Sequence, residues 1–290
     1  MPERAHRAGI VALLGKPNAG KSTLLNRLLG WKLAIVTDKP QTTRSRILGI
    51  LTRDDAQFVL LDTPGIHAGT KALNLALNEI VDEVARDCDV ALLLVDLLRG
   101  WDDEHAALIE RLAAAGTASI VVGTKSDRLD RARPEWPDSA PQPLPVSART
   151  GAGVDSLLER VREHLPESPP LYPEDELSDR PMRFLAAELV REAAIDSLSQ
   201  ELPYELAVEV VEWDEKRPDL VRIRANLLVE RASQKQIVIG RGGQVIKRIG
   251  VRARREIERL VGTQVHLDLW VKVEPKWSKK PKRLKSLGYD

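Results

Sequence analysis

The sequence predicts an α/β protein with a mostly parallel sheet over residues 1–168, followed by a smaller α+β domain over residues 181–275. Short apolar runs alternate with helical patterns in the first part, which is typical of a parallel sheet wrapped by helices. Prolines cluster between residues 166 and 181 and predict a linker at 169–180. The chain of 290 residues also exceeds the usual size of one domain. A basic tail, 276–290, completes the predicted organisation.

The elements of the first part follow from its apolar periodicity. Strands are expected at Ile10–Leu14, Arg46–Leu51, Gln57–Leu61, Val90–Val95, Ser119–Gly123 and Leu144–Ser147. Helices are expected at Lys21–Leu29, Leu75–Arg86, Asp102–Ala115 and Val154–His164. Five prolines over residues 133–145 predict extended chain in place of a full helix before the last strand.

The second part has a different order of elements. Its predicted elements are a helix at Phe184–Leu198, strands at Leu206–Val211 and Leu220–Val229, a glycine-interrupted helical hairpin at Ser233–Val261, and a strand at Val265–Val273. The order is therefore helix, strand, strand, helix, helix, strand, which predicts a separate α+β domain.

Charge is distributed unevenly along the chain. The whole sequence has 44 Lys and Arg against 43 Asp and Glu, a net charge of +1. The segment from Arg231 to Asp290 has 16 Lys and Arg against 5 Asp and Glu, a net charge of +11, which leaves −10 for the rest. This asymmetry favours a basic surface for nucleic acid or for an anionic membrane. A solvated basic helix with a frayed tail is the alternative that charge alone leaves open.

Composition also restricts the compartment. The one cysteine, Cys88, excludes an intrachain disulfide and favours a reducing cytosol. The apolar runs at Ile10–Leu14 and Val90–Val95 are too short for a signal peptide or for the roughly 20 residues that span a bilayer. A cytoplasmic protein is therefore expected.

A glycine-rich loop lies between the first predicted strand and the first predicted helix. It matches G-x-x-x-x-G-K-S and comprises Gly15, Lys16, Pro17, Asn18, Ala19, Gly20, Lys21 and Ser22, followed by Thr23. Backbone N–H groups of such a loop bind phosphate oxygens. We expect Lys21 to contact the β- and γ-phosphates and the Ser22 hydroxyl to bind Mg²⁺.

Two further segments are predicted near the phosphates. Asp62, Thr63, Pro64, Gly65 and Ile66 follow the third strand. Asp62 is expected to hold Mg²⁺ through water, and the Gly65 N–H to lie near the γ-phosphate. Thr42 and Thr43 lie in the loop before the second strand, where a hydroxyl, assigned to Thr43, would bind Mg²⁺ when the γ-phosphate is present. Lys21, Thr43 and Gly65 are the expected catalytic residues.

The last two segments predict preference for guanine. Thr124, Lys125, Ser126 and Asp127 end the fifth strand, and Ser147, Ala148 and Arg149 follow the sixth. The Asp127 carboxylate is expected to accept the guanine N1–H and N2–H, which adenine does not offer, and the Ala148 N–H to bind guanine O6. Segments of this kind at successive strand ends point to one nucleotide site.

With Gln41-Thr-Thr-Arg44 and Asp62-Thr-Pro-Gly-Ile66, the chain resembles Era-type GTPases of the translation-factor class over nearly its whole length. The resemblance implies a P-loop GTPase domain, GTP hydrolysis with Mg²⁺, and switch loops ordered by the γ-phosphate. Ile66 stands where many GTPases have a water-orienting glutamine, so a slow intrinsic rate is expected. Thr124 replaces the usual Asn, and a hydroxyl makes fewer bonds than an amide. Asn18 is either a ligand of an activating K⁺, as in similar GTPases, or a turn residue.

A second motif predicts an RNA site. Gly240, Arg241, Gly242 and Gly243 form a Gly-x-x-Gly loop between the paired helices, an order similar to a type II K homology domain. Glycines there let a phosphate backbone approach a helix N-terminus. Phosphates are expected to meet Lys247, Arg248, Arg252 and Arg255, with Arg254 and Arg259 on the same helix. Trp270 could stack on a base, but strand alternation favours the core, whereas Trp277 is the better stacking or interface candidate unless the tail is disordered.

These features together predict a monomeric GTP-hydrolysing switch that binds single-stranded RNA. The resemblance implies that the RNA is small-subunit ribosomal RNA near its 3′ end and that the protein assists assembly of the 30S-type subunit. One alternative is a signalling GTPase whose basic end contacts anionic lipid at the inner face of the cell membrane. Another is a housekeeping NTPase with an inert basic module.

Overall fold

The computed structural model describes residues 5–37, 47–62, 83–84, 86–129, 136–198 and 206–289. The described residues form two compact units. The first contains those of Met1–Ala34 and Arg46–Asp179, and the second contains those of Ile35–Ser45 and Arg180–Asp290. No helix in these ranges has the length and apolar composition needed to span a bilayer.

The first unit is a six-stranded sheet with helices. Its elements are β1 (Arg7–Gly15), α1 (Lys21–Leu29), β2 (Ile47–Arg53), β3 (Ala56–Asp62), β4 (Val90–Asp96), α2 (Asp103–Ala114), β5 (Ala118–Thr124), β6 (Leu144–Pro145) and α3 (Val154–His164). The strand order is β2-β3-β1-β4-β5-β6, and β2 is antiparallel to β3 while the other pairs are parallel. Every residue of β3 and β4 is buried, as expected for strands covered on both faces.

The predicted strands and helices of this unit are present in the described ranges, with small shifts of their ends. The expected helix at Leu75–Arg86 lies almost entirely outside the described residues. The proline-rich stretch contains no helix over residues 136–143. Because β1, β3 and β5 are parallel, their carboxyl ends at Gly15, Asp62 and Thr124 lie at one edge of the sheet.

The segment expected as a linker packs on the sheet. The buried Gln57 side chain accepts hydrogen bonds from the N–H groups of Leu171 (2.7 Å) and Tyr172 (2.9 Å). The Ser178 hydroxyl donates to Leu48 O at 2.6 Å, and Ser178 forms an antiparallel bridge with Gly49 on β2. The segment therefore covers an edge strand whose backbone groups need partners.

The second unit is a three-stranded sheet with three helices on one face and a short C-terminal helix on the other. Its elements are α4 (Met182–Ser197), β7 (Ala207–Arg217), β8 (Leu220–Val229), α5 (Ala232–Ile239), α6 (Gln244–Val261), β9 (Gln264–Val273) and α7 (Pro281–Ser286). β7 is antiparallel to β8, and β8 is parallel to β9. The core of the unit includes Val190 on α4, Val238 on α5, Ile257 on α6 and Ile223 on β8, all at most 2% exposed.

The sequence prediction for this unit needs three corrections. β7 runs to Arg217 instead of Val211, because irregularities after Val210 and Asp214 shift the alternation on which the prediction relied. Trp270 was expected in the core but is 61% exposed. Trp277 was expected to stack on a base, to lie in an interface or to belong to a disordered tail, but it is 1% exposed and packs with Leu228, Leu287 and Tyr289.

Candidate functional site

The phosphate loop joins β1 to α1. Gly15, Asn18 and Gly20 have φ angles of 145°, 61° and 96°. A Cβ at Gly15 would lie 2.6 Å from Leu94 O, so this position requires glycine. Positive φ angles at these positions let successive N–H groups turn toward one side of the loop, where an anion can bind. The predicted loop therefore has the backbone that phosphate binding requires.

Lys21 lies beneath this loop. Its side chain is 7% exposed, and Nζ donates to Gly15 O (2.8 Å) and Lys16 O (3.1 Å). Burial lowers the pKa of Lys21. An ammonium has three N–H groups, so two position the side chain and one remains for a phosphate.

Lys16 is held differently from Lys21. Its Nζ forms ion pairs with Asp102 and, at 2.8 Å, with Glu104. Asp102 also caps α2, because its carboxylate accepts hydrogen bonds from the N–H groups of Glu104 and His105. The charge of Lys16 is therefore balanced by two carboxylates at the start of α2. The ammonium group of Lys21 instead bonds to carbonyl oxygens of the loop itself.

Ser22 and Asp62 form the candidate magnesium site. Ser22 Oγ donates to Asp62 Oδ2 at 2.8 Å. Asp62 is fully buried, and its Oδ1 has no hydrogen-bond partner among the described residues. Burial raises the pKa of Asp62 to about 6. Hydroxyl and carboxylate oxygens are ligands that Mg²⁺ accepts, so a divalent cation fits this pair of residues.

The buried Asp62 predicts a measurable dependence on pH. An aspartate titrates near pH 4 in the unfolded chain, whereas Asp62 titrates near pH 6 in the folded protein. The buried carboxylate therefore begins to lower the free energy of unfolding near pH 4, and this effect is complete above pH 6. We expect Asp62→Asn to be more stable than wild type in EDTA without nucleotide, by at most about 3 kcal/mol above pH 6. Urea unfolding at pH 4.5, 6 and 7.5 measures the gain.

The gain of Asp62→Asn should grow as the pH rises from 4.5 to 6 and then level off. The difference between the two proteins removes the contribution of other titrating groups. A gain that did not change over this range would contradict a raised pKa for Asp62.

The base-recognition segment is joined to the phosphate loop by side chains. Thr124 Oγ1 lies 2.7 Å from Ala19 O and 3.2 Å from Val95 O. Lys125 Nζ donates to Asn18 O at 2.9 Å and to Asp96 Oδ2 at 2.6 Å. The Thr124 hydroxyl therefore makes the connection to the phosphate loop that is usual for the amide of asparagine. Ser126 begins a short 3₁₀ turn after Lys125.

The predicted base-binding carboxylate contacts the last segment of the site. Asp127 Oδ1 accepts from Ser147 Oγ at 2.6 Å, and Asp127 Oδ2 accepts from Arg149 Nε at 2.7 Å. These bonds, first that of Ser147 and then that of Arg149, lower the pKa of Asp127. Arg27 on α1 donates to the carbonyl oxygens of Ala148 and Arg149. The structure thus brings α1 and both predicted base segments together.

Several predicted site residues lie outside the described ranges: Thr42, Thr43, Thr63, Pro64, Gly65 and Ile66. Their assignments stay predictions. Sequence reasoning missed Asp96 and Arg27, which fix Lys125 and the Ala148–Arg149 carbonyls. An aspartate that ends the apolar run Val90–Val95 was a signal for Asp96, whereas Arg27 looks like any basic residue at the end of a helix.

The Gly-x-x-Gly loop joins α5 to α6. Gly240, Gly242 and Gly243 have φ angles of 76°, 59° and 75°. A Cβ at Gly240 would lie 2.4 Å from Val245 Cγ2, so this glycine is needed for packing. A Cβ at Gly242 or Gly243 would meet nothing within 4 Å, so the loop is open at these two positions. The loop precedes the N-terminus of α6, where N–H groups favour an anion.

The basic residues around this loop differ in their partners. Within the described residues, Arg241, Lys247, Arg248 and Arg255 form no ion pair. Arg252 pairs with Asp196 on α4, and Arg259 pairs with Glu256 at 2.7 Å. Arg254 lies 3.9 Å from Glu258. Three of the four predicted phosphate contacts on α6 therefore have no carboxylate partner among the described residues, while Arg252 shares its charge with Asp196.

The phosphate loop, the base segments and the second unit define a class of protein, a P-loop GTPase followed by a KH domain. A family model for 50S ribosome-binding GTPases matches residues 10–125, and a KH domain model matches residues 201–278. GTPase Era of Pseudomonas fluorescens (strain Pf0-1) is 44% identical over 98% of this chain and 97% of its own length. The chain belongs to the Era family of GTPases, and the predicted GTPase activity is confirmed.

Other relatives agree with this assignment. GTPase Era of Nitratidesulfovibrio vulgaris (strain DP4) is 43% identical over 99% of this chain and 98% of its own length. The crystal structure of a point variant of Aquifex aeolicus Era bound to GDP·AlF4⁻ matches with a TM-score of 0.84 at 37% identity, over 98% of this chain and 99% of that one. An Era structure in complex with MgGDPNP and nucleotides 1506–1542 of 16S ribosomal RNA matches with a TM-score of 0.83, the same identity and the same coverage. The predicted fold class is confirmed.

Proposed function

We propose that this GTPase is a switch that binds single-stranded RNA of the small ribosomal subunit near its 3′ end and assists assembly of that subunit. The observation that carries the proposal is the open side of the Gly-x-x-Gly loop. Gly242 and Gly243 leave room for a phosphate backbone, and Arg241, Lys247, Arg248 and Arg255 supply charge beside it. The RNA bound in the related Era structure comes from the 16S molecule, which supports the proposed target.

The proposed roles in the nucleotide site follow the same geometry. Ser22 and Asp62 would hold Mg²⁺, with Thr43 joining them when GTP is bound. Bound Mg²⁺ would neutralise charge on the phosphates during hydrolysis. Lys21 and the Gly65 N–H would stabilise the same charge, and Asp127 and Ala148 would bind guanine. Ile66 has no polar atom in its side chain, so a slow intrinsic rate remains our expectation.

Three further expectations belong to this proposal. Asn18 is exposed and is a candidate ligand for K⁺, although its positive φ of 61° also suits a turn residue. The protein is expected to act as a monomer in the cytoplasm. The alternative is that the basic residues of Arg231–Asp290 bind anionic lipid at the inner face of the cell membrane.

Crosslinking in cells, followed by sequencing of the bound RNA, tests the proposal. We expect crosslinks near the 3′ end of small-subunit ribosomal RNA in the wild-type protein and their loss in Gly242→Asp. Scattered crosslinks that do not change in the variant would overturn the RNA assignment and favour the lipid-binding alternative. Competition of ATP with GTP for the nucleotide site would favour the general NTPase.

A further inference from the structure

The face of the second sheet opposite its helices presents one exposed aromatic side chain. Trp270 on β9 is 61% exposed, whereas the next residue, Val271, faces the helices and is 7% exposed. Trp270 lies beside Asn226 of β8 in the register of the sheet. Its neighbours two residues away on the same face are Asp268 and Lys272. The indole ring therefore stands on a polar surface and not within an apolar patch.

The C-terminal segment packs on the adjoining part of this face. Trp277, Leu287 and Tyr289 are buried against Ala207 of β7 and Leu228 of β8. Leu228 is the register neighbour of Lys272, two residues from Trp270. The basic end is therefore held next to Trp270 by apolar contacts, and its lysines extend from a folded surface.

The acidic residues near this segment are paired. Arg283 on α7 forms two bonds of 2.7 Å to Glu209 and two of 3.1 Å to Glu274. Arg283, and more weakly Lys272, lower the pKa of Glu209. The Ser278 hydroxyl donates to Glu230 at 2.5 Å. These contacts leave the local lysines without carboxylate partners.

Five exposed lysines lie in this short segment. None of them forms an ion pair with any residue that the structure describes. They are Lys276, Lys279, Lys280, Lys282 and Lys285. With Lys272 they concentrate positive charge beside an exposed aromatic ring, whereas the whole chain has a net charge of only +1. Such a combination is typical of surfaces that bind single-stranded nucleic acid.

We propose that Trp270 and the lysines of residues 272–285 form a second RNA-binding surface. A base of single-stranded RNA would stack on Trp270, and the adjacent phosphates would lie near the lysines. A Gly-x-x-Gly loop clamps about four nucleotides, so the rest of a longer strand is available for a second contact with the protein. The inference rests on the proposed RNA-binding function and adds a second contact for the same RNA.

The surroundings of Trp270 favour RNA over a lipid bilayer. Insertion into a membrane buries a contiguous apolar surface. Trp270 is flanked by Asn226, Asp268 and Lys272, which would all have to be desolvated with it. Stacking of a base covers only the face of the ring and leaves these polar groups in water.

Two RNA lengths separate the second surface from the clamp. Fluorescence anisotropy would measure binding of the 3′-terminal single-stranded sequence of small-subunit ribosomal RNA, as a fragment of about 5 nucleotides and one of about 20 nucleotides. We expect Trp270→Ala to weaken binding of the long RNA by about 5-fold or more and to leave the short RNA unchanged. The matched control is Val211→Ala, which shortens another exposed apolar side chain on the same sheet. It should change the affinity for neither RNA.

A lysine variant tests the charge. This variant combines Lys279→Ala, Lys282→Ala and Lys285→Ala. We expect it to bind the long RNA more weakly and to reduce the slope of log affinity against log salt by about 2. Retention of the wild-type salt slope and affinity would overturn the second surface.

The remaining outcomes distinguish the inference from the function on which it rests. If the wild-type protein binds neither RNA, the proposed function fails and the second surface fails with it. A second outcome is that Gly242→Asp binds neither RNA, while Trp270→Ala and the lysine variant bind the long RNA as tightly as wild type. The proposed function then stands and the second surface is wrong. Loss of binding to phosphatidylserine vesicles in the lysine variant, with unchanged RNA binding, would assign the surface to lipid.

Discussion

Lys21→Ala is expected to weaken GDP and GTP binding by about 100-fold or more. The side chain is held under the phosphate loop by Gly15 O and Lys16 O, so its remaining N–H is positioned before nucleotide binds. Charge-assisted hydrogen bonds contribute about 1.5 to 3 kcal/mol each, and the loss of charge beside two phosphates adds to this. Binding of a fluorescent GDP analogue measures the effect, with circular dichroism as the check on folding.

Lys16→Ala is the matched control in the same loop. Lys16 already pairs with Asp102 and Glu104, and its side chain is 29% exposed. Partly exposed ion pairs contribute about 0 to 1 kcal/mol, so we expect less than about a 5-fold change in GDP affinity. Wild-type GDP affinity in a folded Lys21→Ala protein would show that the phosphates bind elsewhere.

Gly242→Asp is expected to weaken RNA binding by about 5- to 100-fold without changing GTP turnover. A carboxylate at this position would lie within a few ångströms of a bound phosphate, and repulsion at that distance costs about 1 to 3 kcal/mol in a partly screened site. Gly242 belongs to the second unit, whereas the phosphate loop belongs to the first. Filter binding of the RNA and phosphate release from GTP measure the two effects separately.

The geometry of Gly242 keeps this test free of a folding defect. Its φ is 59°, a conformation that Asp and Asn adopt more readily than other residues, and no atom lies within 4 Å of an added Cβ. Gly242→Asn has nearly the same shape as the Asp variant without its charge, so RNA affinity should stay within a few-fold of wild type. Unchanged RNA affinity in Gly242→Asp would place the clamp elsewhere.

The sequence could predict a nucleotide site because the residues assigned to it occur in short contiguous segments. Gly15 to Ser22 follow a buried apolar run. Gly15 is required because a Cβ there would clash with Leu94 O, and Lys21 bonds to carbonyl oxygens of the same loop. The Thr124 hydroxyl shows the limit of this reasoning. A threonine offers fewer hydrogen bonds than asparagine, but its one hydroxyl lies 2.7 Å from Ala19 O, a residue 105 positions earlier.

The two tryptophans show why apolar character alone did not predict burial. Both Trp270 and Trp277 suit a core or a binding surface, and period-two alternation on β9 assigns a side chain to a face without saying which face the helices cover. Val265 and Val271 face the helices, so Trp270 faces away from them. Trp277 is buried because the C-terminal segment folds back onto Ala207 and Leu228.

By itself, the sequence determined the two-part organisation, the order of the described elements in each part, the guanine nucleotide motifs and the Gly-x-x-Gly loop. These features depend on local periodicity and on residues that are close in the chain. Only the tertiary structure decided which cations are free for RNA, since the partner of Arg252 is Asp196 on α4 and the partners of Arg283 are Glu209 and Glu274. It also placed Trp270 at the surface, because exposure is a property of the residues that pack against a side chain, and these are distant in sequence.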